Sequence, residues 1–214
     1  MTPPLLAAEV RAYLDRLVPP RPPELAAMEQ YARQEDFPII GPACGFICYQ
    51  IARMIGARRV FELGSGFGYS TAWFARAVQE NGGGEVHHVV WNADLSRRAQ
   101  RHLQVLGYQE IVRYTVGEAV ATLASASGSF DVIFNDIDKT GYPASLPVIK
   151  QKLRRGGVLM VDNMLWSGRI FDQADRSPET EAIREFTKLV TSDADWLVSV
   201  IPIRDGLLVA TRQS

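Results

Sequence analysis

The 214-residue sequence predicts an α/β domain: a doubly wound, mainly parallel sheet of seven strands with an antiparallel C-terminal hairpin and extra N-terminal helices. Three observations carry that expectation. From Arg58 onward, short apolar runs alternate with longer segments of helical period, and such alternation joins parallel strands through right-handed crossovers. The last two apolar runs are separated only by Pro202-Ile203-Arg204-Asp205, a gap short enough to favour a hairpin at the sheet edge. The residues before Ala57 carry helical patterns alone.

The first helix is expected over Leu5–Val18, where Leu6, Val10, Leu14 and Leu17 share a face. Pro19-Pro20-Arg21-Pro22-Pro23 stops it and acts as a stiff connector. A second helix covers Glu24–Gln34. The third, Gly41–Gly56, is apolar nearly all round (Phe46, Ile47, Tyr49, Ile51, Met54, Ile55) and should be buried on most sides. Strands follow at Arg59–Leu63, Val86–Val90, Ile111–Val116, Phe130–Asn135 and Gly157–Asp162. Helices between them are expected at Tyr69–Gln79, Leu95–Leu106, Glu118–Ala126 and Tyr142–Leu153. After a helix at Glu179–Val190, the hairpin strands are Trp196–Ile201 and Gly206–Thr211. There is no internal repeat.

Composition narrows the function classes. Lys plus Arg is 23 and Asp plus Glu is 24, a formal charge of −1, which excludes a basic nucleic-acid footprint as the main binding mode. No apolar run reaches the ~20 residues that span a bilayer, and no basic leader precedes an apolar stretch, so a cytoplasmic protein is expected. Cys44 and Cys48 lie four apart on one helix face and suit two small core residues better than a metal or redox pair. His87 and His88 fall on opposite faces of a strand, with no further ligands at a suitable spacing.

Two segments carry chemistry. The first is Glu62-Leu63-Gly64-Ser65-Gly66-Phe67-Gly68-Tyr69-Ser70, a strand end, a glycine turn and a helix start. Its third spacing departs from G-x-G-x-x-G, and the strand ends in an acid. A carboxylate is a poor neighbour for a pyrophosphate and a good one for an ammonium group, which points to S-adenosylmethionine. A second acid normally meets the ribose at the end of the next strand, where this chain has Val90. Asn92 is the stand-in expected there, and Asp94 the cap of the following helix.

The second segment is Asp136-Ile137-Asp138-Lys139, at the end of an apolar strand; Asp162-Asn163 ends the next one. Asp136, Asp162 and Asn163 would share one rim, and oxygen donors of this kind suit Mg²⁺, Ca²⁺ or Mn²⁺. Lys139 lies three residues from Asp136, at the same carboxyl end of the strand.

These residues resemble the cation-dependent O-methyltransferases of the catechol and caffeoyl-CoA type. Glu62 to Ser70 is similar to that family's first motif, Asp136 to Lys139 to its D-x-D-K, Asp162-Asn163-Met164-Leu165-Trp166 to its D-N-x-L-W, and Pro202 to Gly206 to its P-x-x-D-G. The resemblance runs from about Pro38 to the end. It implies a Rossmann-like methyltransferase domain over 1–214, with 1–56 as a helical cap and 57–214 as the cofactor-binding core. It also implies a metal on Asp136, Asp162 and Asn163, and Lys139 over the reacting hydroxyl. Glu62, Gly64, Gly66, Gly68, Ser70 and Asp138 would meet the cofactor, with Glu118 and Ala119 beside the adenine. A hydroxylated aromatic acceptor and a homodimer follow from the same analogy. Val90 and Arg204 depart from the family pattern, Arg204 standing where a small residue is common. Methyl transfer to nitrogen or a macromolecule, or a non-catalytic binding protein, are the alternatives. The loop Met164–Ser177 and the N-terminal segment are expected to shape the acceptor region.

Overall fold

Alternate residues of the central strands divide the core into two layers, as the period of a strand requires. Val60, Val132, Phe134 and Met160 pack on one face of the sheet, while Phe61, Leu63, Ile133 and Leu159 pack on the other, all fully buried. The structure is a computed structural model that describes residues 8–213, so the Leu5–Ala7 start of the first predicted helix lies outside the described residues.

The strands are β1 (Arg59–Leu63), β2 (Glu85–Val90), β3 (Val112–Val116), β4 (Phe130–Asn135), β5 (Leu153–Val161), β6 (Trp196–Ile201) and β7 (Leu207–Arg212). They form one sheet in the order β3-β2-β1-β4-β5-β7-β6. β1 to β5 run parallel, and β7 is antiparallel to both β5 and β6. The doubly wound sheet with a C-terminal hairpin is therefore as expected. The strand order reverses between β1 and β4, and ligands of open α/β sheets bind at the carboxyl ends beside such a reversal.

The helices are α1 (Ala8–Leu17), α2 (Pro23–Gln34), α3 (Gly41–Met54), α4 (Tyr69–Glu80), α5 (Ala93–Val105), α6 (Ala119–Ser125), α7 (Tyr142–Lys152) and α8 (Pro178–Ser192). α2 to α5 cover one face and α6 to α8 the other. The N-terminal helices are anchored by a buried acid: Glu29 of α2 accepts the Tyr69 hydroxyl at 3.0 Å and pairs with Arg21 at 2.6 Å. No helix among the described residues is long and apolar enough to cross a membrane.

Two local expectations change. α3 is less covered than its composition suggested: Cys44, Gly45, Cys48 and Ala52 make a buried stripe, Phe46 and Tyr49 are half-buried, and Met54 is 83% exposed. The buried stripe consists of small residues, which lets α3 lie close on α4 while its larger side chains remain at the edge. β5 begins at Leu153, where the preceding helix was expected to end; Leu153 already pairs with Phe130, and a register shift absorbs the exposed residues before Val158.

Candidate active site

The sheet ladder continues one residue past β4 and β5, and this brings the two acids of the rim side by side. Asp136 donates its amide to Leu63 O at 2.8 Å, and Asp162 donates its amide to Asn135 O at 3.2 Å. Beneath them, the Tyr142 hydroxyl donates to Asp162 O at 2.9 Å, and Asn135 reaches Ser145 Oγ at 3.0 Å. These hydrogen bonds among buried polar groups fix the rim as a unit.

The glycine turn leaves β1 directly against this rim. Gly64 has φ +87°, and a Cβ there would stand 2.5 Å from Asp136 O, so only glycine lets the two strand ends meet. Ser65 then crosses to the neighbouring strand end, its amide donating to Val89 O at 3.0 Å and its Oγ accepting from Val89 N at 2.9 Å. Gly68, also left-handed, opens α4.

Glu62 lies under the turn with no exposed surface. Its Oε2 accepts from the Thr71 hydroxyl at 2.5 Å, and Thr71 Oγ1 is 3.0 Å from His88 Nδ1. Burial pushes the Glu62 carboxyl up to about 7, although the hydroxyls of Ser70, Thr71 and Ser65 pull it back. Burial also pushes His88 down to about 3, so the imidazole is neutral.

Positive side chains meet both rim acids. Lys139 Nζ donates to Asp136 Oδ1 at 2.8 Å and to Ile137 O at 3.2 Å, and it lies 5.0 Å from the centre of the Tyr142 ring. Arg204 Nη1 donates to Asp162 Oδ2 at 2.6 Å; Asp162 Oδ1 is buried without a partner. Burial raises the Asp162 carboxyl above its ordinary range, and Arg204 opposes that shift. Asp205 next to it staples the adjoining loop, accepting Asn163 Nδ2 at 3.0 Å and Ser167 N at 2.5 Å. Asn163, Trp166, Ser167 and Arg204 all take positive φ, a conformation that side chains with a Cβ adopt only when their surroundings impose it.

A cavity of about 850 Å³ opens over these groups, near the upper end of the range for small-molecule sites. Gly64, Gly66, Ser70, Glu118, Ala119, Asp136, Asp138, Lys139 and Asn163 of the predicted set line it. The other predicted residues do not. Glu62 is walled off beneath the turn, Gly68 faces Ala99 of α5, and Asp162 stands behind Arg204. Asn92, the expected ribose partner, spends its Oδ1 on the Asp94 and Leu95 amides and caps α5, the role expected of Asp94. Glu118 likewise caps α6 through both oxygens, accepting from Val120 N at 2.9 Å and Ala121 N at 2.5 Å. Asp138 accepts the Thr140 amide at 3.0 Å and hydroxyl at 2.6 Å, which hold its carboxyl below the usual range.

Several wall residues were not singled out in the sequence. Trp91, 73% exposed, follows β2 into the cavity; its signal was an aromatic at a strand's carboxyl end. Phe37 to Ile40, between α2 and α3, forms the wall facing the glycine turn.

The oxygen donors expected to hold a cation have the right chemistry, but each rim carboxylate already meets a positive side chain. An ion ~2.1 Å from Asp162 Oδ2 would stand at most about 4.7 Å from the Arg204 nitrogen. The set as arranged does not fit a dication.

A family profile described as O-methyltransferase matches residues 32–213. A catechol O-methyltransferase of Mycobacterium tuberculosis is 33% identical over 180 residues, covering 82% of this chain and 80% of that protein. Among solved structures, an O-methyltransferase from Streptomyces achromogenes in complex with S-adenosylmethionine superposes with a TM-score of 0.86 at 25% identity over 96% of each chain. A methyltransferase from Geobacter sulfurreducens does so with a TM-score of 0.83 at 27% identity, over 99% of this chain and 100% of that one.

Proposed function

The chain belongs to the O-methyltransferase family, and from that membership we propose that it transfers the methyl group of S-adenosylmethionine to a hydroxyl of a small, catechol-like aromatic. The observation that carries this is one cavity lined jointly by the glycine turn, Glu118–Ala119 and the Asp136–Lys139 run. Its size, at about 850 Å³, leaves room for an acceptor beside the cofactor.

When bound, S-adenosylmethionine supplies an electrophilic methyl on a cationic sulfur, and the acceptor oxygen bonds to that carbon as the carbon–sulfur bond breaks. The start of α4 offers backbone amides and the Ser70 hydroxyl to the amino-acid end. Val90, Trp91 and Ala119 give the nucleoside an apolar wall, and the ribose meets no carboxylate at Val90. A phenol ionises near pH ~10, so its proton must leave for the oxygen to attack at neutral pH. Lys139 is the group proposed to take it, for which Nζ must present a free lone pair when the acceptor enters. Asp136, which accepts from that nitrogen, orients it. A divalent cation on Asp136, Asp162 and Asn163 is left out of this scheme because of the positive side chains already there. A homodimer is proposed as well, supported by exposed apolar side chains on the N-terminal helices, Tyr13 and Leu17 of α1 and Met54 of α3.

Incubation with S-adenosylmethionine and a panel of hydroxylated aromatics, followed by mass spectrometry, tests the proposal. A mass gain of one methylene on a catechol-like compound is expected. Methylation confined to amines or macromolecules would redirect the acceptor class, and no calorimetric heat with S-adenosylmethionine would leave only a binding protein.

A further inference from the structure

We propose that Arg204 supplies from within the chain the positive charge that a bound dication would otherwise bring to this site, so that the rim acids bind no metal ion. Arg204 thereby acts at the acceptor position, resting on the methyl-transfer scheme above for the identity of that acceptor.

Four observations converge on this residue. Its Nη1 is 2.6 Å from Asp162 Oδ2, on the carboxylate that an ion would need. Among the described residues that is the one side-chain hydrogen bond it makes, while the side chain, 24% exposed, lines the cavity with Lys139. A guanidinium has five N–H donors in a planar fork, so most of its donors remain for the paired oxygens of a catechol-like ligand. Its backbone is held at φ +51°, inside the short turn stapled by Asp205, so the side chain is fixed toward the rim.

The charge count agrees. Before Lys139 gives up a proton to act as base, Asp136 and Asp162 bring two negative charges and Lys139 and Arg204 bring two positive ones, each within 3 Å of its acid; afterwards Arg204 alone keeps its charge. A guanidinium keeps its charge at any pH a protein tolerates, so it can stabilise a phenolate throughout the working range. It differs from a cation in one respect that can be measured: a chelator cannot remove it.

Manganese binding followed by electron paramagnetic resonance tests this without turnover. The wild-type protein should leave the free Mn²⁺ signal unchanged, whereas Arg204→Ala should take up one ion with at least tenfold higher affinity. Adding Asp162→Asn to Arg204→Ala should abolish that uptake. Arg204→Lys, which retains a positive charge, should stay closed to Mn²⁺, and it decides the matter if the alanine variant fails to fold by circular dichroism. Stoichiometric Mn²⁺ uptake by the wild type that Asp162→Asn removes would overturn the proposal, as would an alanine variant that folds and gains no affinity. On any acceptor found to be methylated, wild-type turnover should survive a chelator; a tenfold loss would overturn it too. Failure to methylate any hydroxyl would count against the proposed reaction and leave the Mn²⁺ results to be read on their own.

Discussion

Glu62 has no exposed surface and only one hydrogen-bonded oxygen, so its ionised form is held against a desolvation cost. Its carboxyl titrates at about 7 in the folded chain against 4.5 in the open one. Between those values the folded state keeps a proton that the unfolded state has lost, and stability therefore falls as pH rises. The full loss is on the order of 3 kcal/mol above pH ~7. Comparing thermal midpoints of wild type and Glu62→Gln from acid to alkaline pH should show the variant gaining steadily up to neutrality, then levelling; a constant difference would contradict the assignment. His88 works in the opposite sense: its depressed value means that stability is lost as pH falls from its ordinary range toward about 3. For Lys139, replacement by alanine should lower kcat by ~10²–10⁴ while S-adenosylmethionine binding persists, and arginine should not restore it, since a guanidinium cannot accept a proton. Steady-state kinetics with calorimetry on the same samples checks both, and wild-type kcat in either variant would remove the base role. The sequence singled out both rim acids because each directly follows an apolar strand, and Lys139 because it lies three residues beyond the first of them. It misassigned Asn92, whose oxygen serves the helix it caps, since capping and ligand binding demand the same residue types at the same position.

The turn between β1 and α4 shows the same logic one level up. Spacing alone suggested a ligand loop, and the close approach of Gly64 to Asp136 O adds a structural demand that no periodicity reveals. Gly64→Ala should destabilise the protein by about 2 kcal/mol or more, the strain of a left-handed alanine plus the displacement of the rim. Chemical denaturation measures it; an unchanged midpoint would mean that the turn relaxes freely. The strands were legible because β-branched and aromatic runs are short and fully buried, as Val132, Ile133 and Phe134 are. The start of β5 was not, because Leu153 serves both a helix end and a strand start. The pairing of Arg204 with Asp162 spans 42 residues and depends on where the hairpin turn comes to rest, which pattern reasoning cannot reach.

At the scale of the whole molecule, the reversal of strand order between β1 and β4 gathers both motifs at one end of the sheet, and the connection between the N-terminal helices α2 and α3 closes the wall facing the glycine turn. Those helices leave Tyr13, Leu17 and Met54 in solvent, and a pair of chains joined there would cover them. Light scattering should therefore give twice 23.8 kDa at micromolar concentration, and the single-chain mass would rule the homodimer out. The proposed reaction is tested most directly by supplying S-adenosylmethionine with an isotopically labelled methyl group and following the label by nuclear magnetic resonance. The label should appear as an aryl methyl ether, in step with S-adenosylhomocysteine and lost in Lys139→Ala. Label on nitrogen, or none transferred while the cofactor binds, would contradict it.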